Sequence, residues 1–189
     1  MPLPSRFLMV PVLALSSLLP LAPSVQAAQK PVPAERNPPG DIPDTQVFID
    51  YNGPGFTMKV PEGWSRHDEP SGATFNDKYN LITVLAESAA APPTVASAKA
   101  DQAKKLEALD RAVKVTDVQA IALKGGNAVK IDYAINSGTN PVTNKQIRLE
   151  DVRYLLWRNG KLVTLDMAAP YGADNVDQWN LMANSVRIH

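Results

Sequence analysis

The pair Asn159-Gly160 stands between two apolar-rich runs in QIRLEDVRYLLWRNGKLVTLDMAAP, residues 146–170, and this stretch limits what the chain can fold into more than any other. A two-residue Asn-Gly loop fits a type I′ turn, whose backbone twist matches that of paired strands, so the segment predicts a β-hairpin. After the turn, Val163, Leu165, Met167 and Ala169 alternate with Leu162, Thr164, Asp166 and Ala168, and the first set is the expected core face. Before the turn the pattern is less regular. Ile147, Leu149, Leu155 and Trp157 hold one phase, while Val152, Tyr154 and Leu156 hold the other. A bulge near Glu150-Asp151 or burial on both faces accounts for that mixture. The expectation is a central hairpin with layers on both sides.

Other segments repeat the hairpin logic. VFIDY and FTMKV flank Asn52-Gly53-Pro54-Gly55, and Pro61-Glu62-Gly63-Trp64 then brings an indole to the sheet edge as a core plug. ATFND and LITVLAE predict a strand pair turning near residues 77–80. TDVQAIALK and AVKIDYAIN surround Gly125-Gly126-Asn127, with Val129, Ile131, Tyr133 and Ile135 on one face. Between these pairs the period changes. Thr94 is placed as an N-cap for an amphipathic helix running to about Val113, with Val95, Ala98, Leu106, Leu109 and Val113 on one stripe. Asp101 with Lys105 and Glu107 with Arg111 sit four apart in the favourable acid-first order. A second helix follows residues 171–173, with Asp174 as its cap and Val176, Trp179 and Ala183 on one face.

The first residues follow a different rule. Arg6 precedes an apolar run of about fifteen residues that proline interrupts, too short for a comfortable membrane span. Val25 and Ala27 supply small side chains at the positions a signal peptidase grips, so residues 1–27 are expected to be a signal peptide. Residues 28–46, rich in proline and polar groups, are expected to be a flexible linker, and the folded domain is expected over 47–189. A PxxP ligand is the sharper alternative for the linker. There is no cysteine, so an exported form holds no disulfide and carries no lipidated Cys. Acidic and basic residues balance at 19 each, and loss of Arg6 with the leader shifts the charge one unit to the acidic side. Broad attraction to nucleic acid or anionic lipid is disfavoured on that balance.

The order of YNGPGFTMKVPEGW, the long helix, GGNAVKIDY, YLLWRNGKLVTLDMAAP and the closing WNLMANSVRI resembles the PsbP/Mog-like superfamily, including exported bacterial proteins of the LpqN type. The resemblance spans residues 47–189 and implies an α+β fold, a mostly antiparallel β-sheet sandwiched between helices. The short turns agree, because they join antiparallel strands but not parallel ones. The superfamily's members include an extrinsic photosystem II subunit, a Ran-binding factor, secretion chaperones and exported lipoproteins, so the resemblance implies binding or assembly rather than catalysis. It carries no residue role onto this chain.

The residues themselves show no Cys nucleophile, G-x-S-x-G, P-loop, dinucleotide fingerprint or H-E-x-x-H. The two histidines are His67 and His189. His67-Asp68-Glu69 is the one cluster that could bind a metal or serve as an acid-base pair, and consecutive side chains rarely converge, so a solvated loop is expected there. Asp132 and Asp151 are expected to face outward from strands. The favoured function is an exported non-catalytic binding or assembly protein of the cell envelope, engaging a protein partner or a small amphipathic ligand. Tyr79 and Tyr171, placed on loops, are the candidate binding residues, against a bland role as core caps. No cofactor, catalytic residue, metal, nucleic acid or stable membrane anchor is expected. The alternative is an envelope hydrolase or metal-dependent enzyme using His67 with nearby carboxylates.

The leader gives the first testable expectation: intact mass of the native exported product should show a start at Ala28 or Gln29 and partition as soluble protein. A full-length species resident in membranes would refute it.

Overall fold

The computed structural model describes residues 29–189. The expected signal peptide, residues 1–27, lies outside the described residues. Among the described residues ten strands and two helices follow in chain order. They are β1 Phe48–Gly53, β2 Phe56–Pro61, β3 Ser65–Glu69, β4 Gly72–Asn76 and β5 Leu81–Ser88. Helix α1 covers residues 95–107, and β6 Lys114–Leu123, β7 Gly126–Asn136, β8 Arg148–Arg158 and β9 Lys161–Pro170 come next. Helix α2, Val176–Ser185, and the two-residue β10, Arg187–Ile188, close the chain.

Seven strands form one antiparallel sheet in the order β3-β4-β5-β9-β8-β7-β6, so the Asn159-Gly160 hairpin lies at its centre. Asn159 and Gly160 both take positive φ, 50° and 82°, as a type I′ turn requires. Register runs without interruption from Leu149↔Pro170 to Arg158↔Lys161, so there is no bulge at Glu150-Asp151. Burial on both faces explains the mixed phase instead. Val152, Tyr154, Leu156, Val163, Leu165 and Met167 point into one apolar core. Leu155 and Leu162 point into a second core on the opposite face, beside Val129, Ile131, Tyr133 and Ile135 of β7.

Two different layers close these cores. The first is covered by α2 and by a small sheet of order β1-β2-β10, in which the last strand pairs back onto β2. Phe56 and Met58 of β2 and Met182 and Ala183 of α2 are almost wholly buried there. Trp64 packs part-buried against the same core. The second core is covered by α1 through Ala98 and Leu106. The result is the expected α+β architecture, a mostly antiparallel sheet between helices, with the small sheet sharing the α2 layer.

Helix α1 is shorter than its apolar stripe suggests. Thr94 caps it in a reciprocal pair with Ser97, but Ala98–Ala103 widen into a π-helical stretch between α-helical ends Val95–Ser97 and Lys104–Glu107. The wider turn moves the buried face onto Ala98, Ala103 and Leu106 and leaves Leu109 exposed. Asp101 and Lys105 form their ion pair at 2.9 Å. Arg111 lies beyond the helix end and donates to the Asn136 carbonyl instead of meeting Glu107.

Residues 29–46 are mostly exposed but make specific hydrogen bonds to the folded part. They lie as a strap against one end of the large sheet and the start of α2. Asn136 accepts from the Val32 amide at 3.1 Å and donates to the Lys30 carbonyl at 2.9 Å. Asn175 accepts from the Ile42 amide at 2.6 Å, and both Asn175 and Asn80 donate to the Gly40 carbonyl. Asn80, Asn136 and Asn175 are all buried, as is Ile42. Buried amides need partners, and the strap backbone supplies them where a regular strand would have used its own bonds. Asn175, rather than Asp174, occupies the N-cap position of α2, and its side chain serves the strap instead of the helix.

Gly160 and Gly138 separate backbone strain from packing. A Cβ at either meets nothing within 4 Å, but only Gly160 has positive φ, at 82°. Gly160→Val should therefore lower stability by more than about 1 kcal/mol, because β-branched residues resist that backbone region. Gly138→Val should stay within about 0.5 kcal/mol. Equal urea midpoints for the two variants would contradict the turn assignment.

Candidate functional site

The fold leaves a cleft where the β7-β8 face passes out from under α2. Antiparallel register places Lys130 opposite Tyr154, Asp132 opposite Val152 and Ala134 opposite Glu150, all on the α2 side of the sheet. Val176, Trp179 and Asn180 of α2 form the wall, and Tyr171 closes one end, around a cavity of about 240 Å³. Lys130 Nζ meets Asp132 Oδ1 at 2.8 Å, so these two charges neutralise each other on the floor. Glu150 has no cationic partner among the described residues, and burial raises its pKa against the lowering effect of a hydrogen bond from the Gly172 backbone. Tyr154 is buried beneath, and desolvation with the nearby Asp132 charge pushes its hydroxyl up to about 12. It is a neutral hydrogen-bonding group at ordinary pH.

Of the two expected binding residues, the structure brings Tyr171 to this cleft and leaves Tyr79 outside it. Tyr171 is 46% exposed, with its amide donating to the Arg148 carbonyl at 2.9 Å. Tyr79 is 45% exposed in the β4-β5 turn, where its amide donates to Asp77 and its Cβ packs close to Gly40 of the strap. Trp179 is readable from the sequence as a helix-face residue, and its role in the cleft is not, because the pairing register decides what lies under α2.

His67 sits on β3, an exposed edge strand rather than a loop. Asp68 points to the opposite face and pairs with Arg66 at 2.6 Å, while Arg66 also lies over the Tyr51 ring. Register does place His67, Thr74, Thr83, Asp166 and Arg153 in one row across five strands. His67 and Asp166 are three strand spacings apart in that row, about 14 Å, too far for one to act on the other.

A second polar cluster lies on the α1 side. Arg153 binds Asp166 through two parallel bonds, Nε to Oδ1 at 2.7 Å and Nη2 to Oδ2 at 2.8 Å, and its Nη1 donates to Gln102 of the π-helical stretch at 3.0 Å. Asp151 and Tyr133 stand opposite one another beside this pair. Asp151 does not face solvent as expected: its Oδ2 is shut off from water and lacks a hydrogen-bond partner. Burial and the Asp166 charge raise its pKa to about 8, against the lowering effects of Arg111, a Tyr133 hydrogen bond and Arg153. The same burial, with the charge of Asp151, pushes the Tyr133 hydroxyl far up. Among the described residues no group of three or more His, Cys, Asp or Glu is placed to hold a metal ion. Nor is any helix there long and apolar enough to cross a membrane.

Comparison with known proteins places the fold. The chain aligns with the solution structure of cyanobacterial PsbP (CyanoP) from Synechocystis sp. PCC 6803 at a TM-score of 0.57 and 15% identity, covering 79% of this chain and 98% of that one. LpqN, described as involved in cell envelope biogenesis of Mycobacterium tuberculosis, aligns at a TM-score of 0.49 and 14% identity, covering 76% of this chain and 90% of that one. No protein-family model matches the chain, and no curated protein matches it significantly. The fold is PsbP-like.

The Asp151 environment predicts a pH dependence with a definite sign. Its folded pKa, about 8, lies above the ordinary 3.8, so between those values the folded state holds more proton than the unfolded one. Its stabilising contribution is complete below that window and is lost as pH rises through it. Asp151→Asn should flatten this slope and exceed the parent chain in stability by more than about 1 kcal/mol at about pH 9. Urea midpoints measured across the window check this, and parallel slopes for the two chains would contradict it.

Proposed function

We propose that this chain, with its PsbP-like fold, is an exported, non-catalytic binding protein of the cell envelope whose α2-side cleft receives a small amphipathic ligand. The observation that carries this reading is the meeting of Tyr154, Tyr171 and Trp179 around one cavity that also presents charged and hydrogen-bonding groups. Clefts of this kind combine apolar area, which supplies affinity, with a few fixed polar groups, which supply orientation. Aromatic side chains suit both purposes because each joins a large apolar ring to a polar edge or hydroxyl. The leader-like first residues support an exported setting.

Geometry gives the enzyme alternative little support. His67 is on the exposed edge strand β3, Asp68 turns to the opposite face, Asp166 is about 14 Å away, and Glu69, which shares the His67 face, is as exposed as His67 itself.

The neutral probe N-phenyl-1-naphthylamine tests the reading, because its fluorescence rises when it leaves water. It should bind the parent chain, and Tyr171→Ala should weaken binding by about tenfold, the loss expected when one aromatic wall is removed. His67→Ala should bind as the parent does. Undiminished binding by a folded Tyr171→Ala chain would contradict the assignment of the cleft.

A further inference from the structure

Resting on that reading of the cleft, we propose that its ligand is a small organic cation, an alkylammonium group with an apolar shell, seated between Glu150 and the rings of Tyr171 and Trp179. Three features point there together. The lining includes one cation and three carboxylate residues, of which Asp151 turns its side chain to the α1 side, and Lys130 is already held by Asp132 at 2.8 Å, so the charge left facing the cavity is that of Glu150. The remaining carboxylate, Glu150, lies diagonal to Asp132 across the β7-β8 pair, partly buried and without a cationic partner among the described residues. Burying an unpaired acid is unfavourable, and a bound cation would offset that while displacing little ordered charge. The rings supply the third feature. Aromatic faces attract cations electrostatically, and a quaternary or alkylated ammonium keeps this attraction because it loses less hydration than a bare one.

The groups around Glu150 leave it as the acceptor. On β7 they are Lys130 and Asp132, paired with each other, and on β8 they are Tyr154 and Arg148; Arg148 keeps its positive charge, since it donates to the uncharged oxygens of Ala112 and Asn136, but it forms no ion pair with Glu150 and lies outside the cavity lining. Lys114 of β6 lies one strand beyond Ala134 in the same row, exposed and outside the cavity lining. The α2 wall contributes the uncharged Trp179 and Asn180, and the loop contributes Tyr171. An anionic ligand would face the Glu150 charge with no free positive group among the described residues of the cleft to meet it.

Three molecules of matched shape test the proposal by displacement of N-phenyl-1-naphthylamine: choline, the uncharged 3,3-dimethylbutan-1-ol and the anion 3,3-dimethylbutanoate. Choline should bind more tightly than the alcohol by about tenfold, and the anion should bind least. Glu150→Gln, which keeps the side-chain shape, should remove the preference for choline over the alcohol. On the unmutated chain, choline binding should weaken as pH falls through the raised Glu150 value, with the alcohol unaffected. Phosphocholine, whose phosphate meets no free positive group in the cleft, should bind more weakly than choline. Equal binding of choline and the alcohol, or a preference that survives Glu150→Gln, overturns it and leaves the binding-protein reading intact. Failure of the naphthylamine itself to bind overturns both.

Discussion

Burial of the β8-β9 hairpin on both faces is the constraint on which the rest of the structure depends. A strand pair with apolar residues in both phases cannot lie at the surface of a two-layer protein, because one face would meet water. Tyr154, Leu156, Val163 and Leu165 require cover on one side, and Leu155 and Leu162 require it on the other. Each side takes a different solution. One core is closed by the capped helix α1, and the other by α2 with a hairpin whose second strand is extended by the last residues of the chain. The tail and the first hairpin are thus part of the same layer, although more than a hundred residues of sequence separate them.

Unequal covering creates the site. Helix α2 and the small sheet cover β4, β5, β9 and part of β8, and the β7-β8 floor extends past the helix edge. Residues at that edge, Lys130, Asp132 and Glu150, are polar because they meet the cleft rather than the core. The strap from residue 29 to residue 46 fixes this arrangement from outside: it holds Asn175 at the start of α2 and Asn136 at the end of β7, the two elements whose spacing defines the cleft. A buried amide without its partner is costly, so the strap and the position of α2 are energetically linked.

Much of the fold is legible in the sequence because its signals are local. Asn159-Gly160, Gly53-Pro54-Gly55 and the Val129-to-Ile135 alternation each report a turn or a face through a few neighbouring residues, and all three match the structure. Thr94 does the same for the start of α1. The features that sequence reasoning misses share a different cause. Asp151 reads as an outward strand residue, and only the packing of Tyr133 of β7, Asp166 of β9 and Arg111 around it shows that its Oδ2 is enclosed. The proline-rich strap carries no apolar period, since backbone groups and single polar side chains such as Asp41 and Asp44 make its contacts, and Ile42 is a lone buried anchor. Glu150 and Trp179 approach one another only through the register of β8 and the placement of α2, neither of which a single sequence states. Tyr171 is visible as a loop aromatic, and its neighbours are not.

The proposed ligand enters between α2 and the β7-β8 floor. Two-dimensional amide and indole NMR during titration with N-phenyl-1-naphthylamine reads that location directly, residue by residue. Shifts should concentrate on the Trp179 indole and on the amides of Asp132, Glu150, Tyr171 and Asn180, which line one cavity. Shifts confined to β3 around His67, or to α1 and the Asp151 cluster, would contradict it.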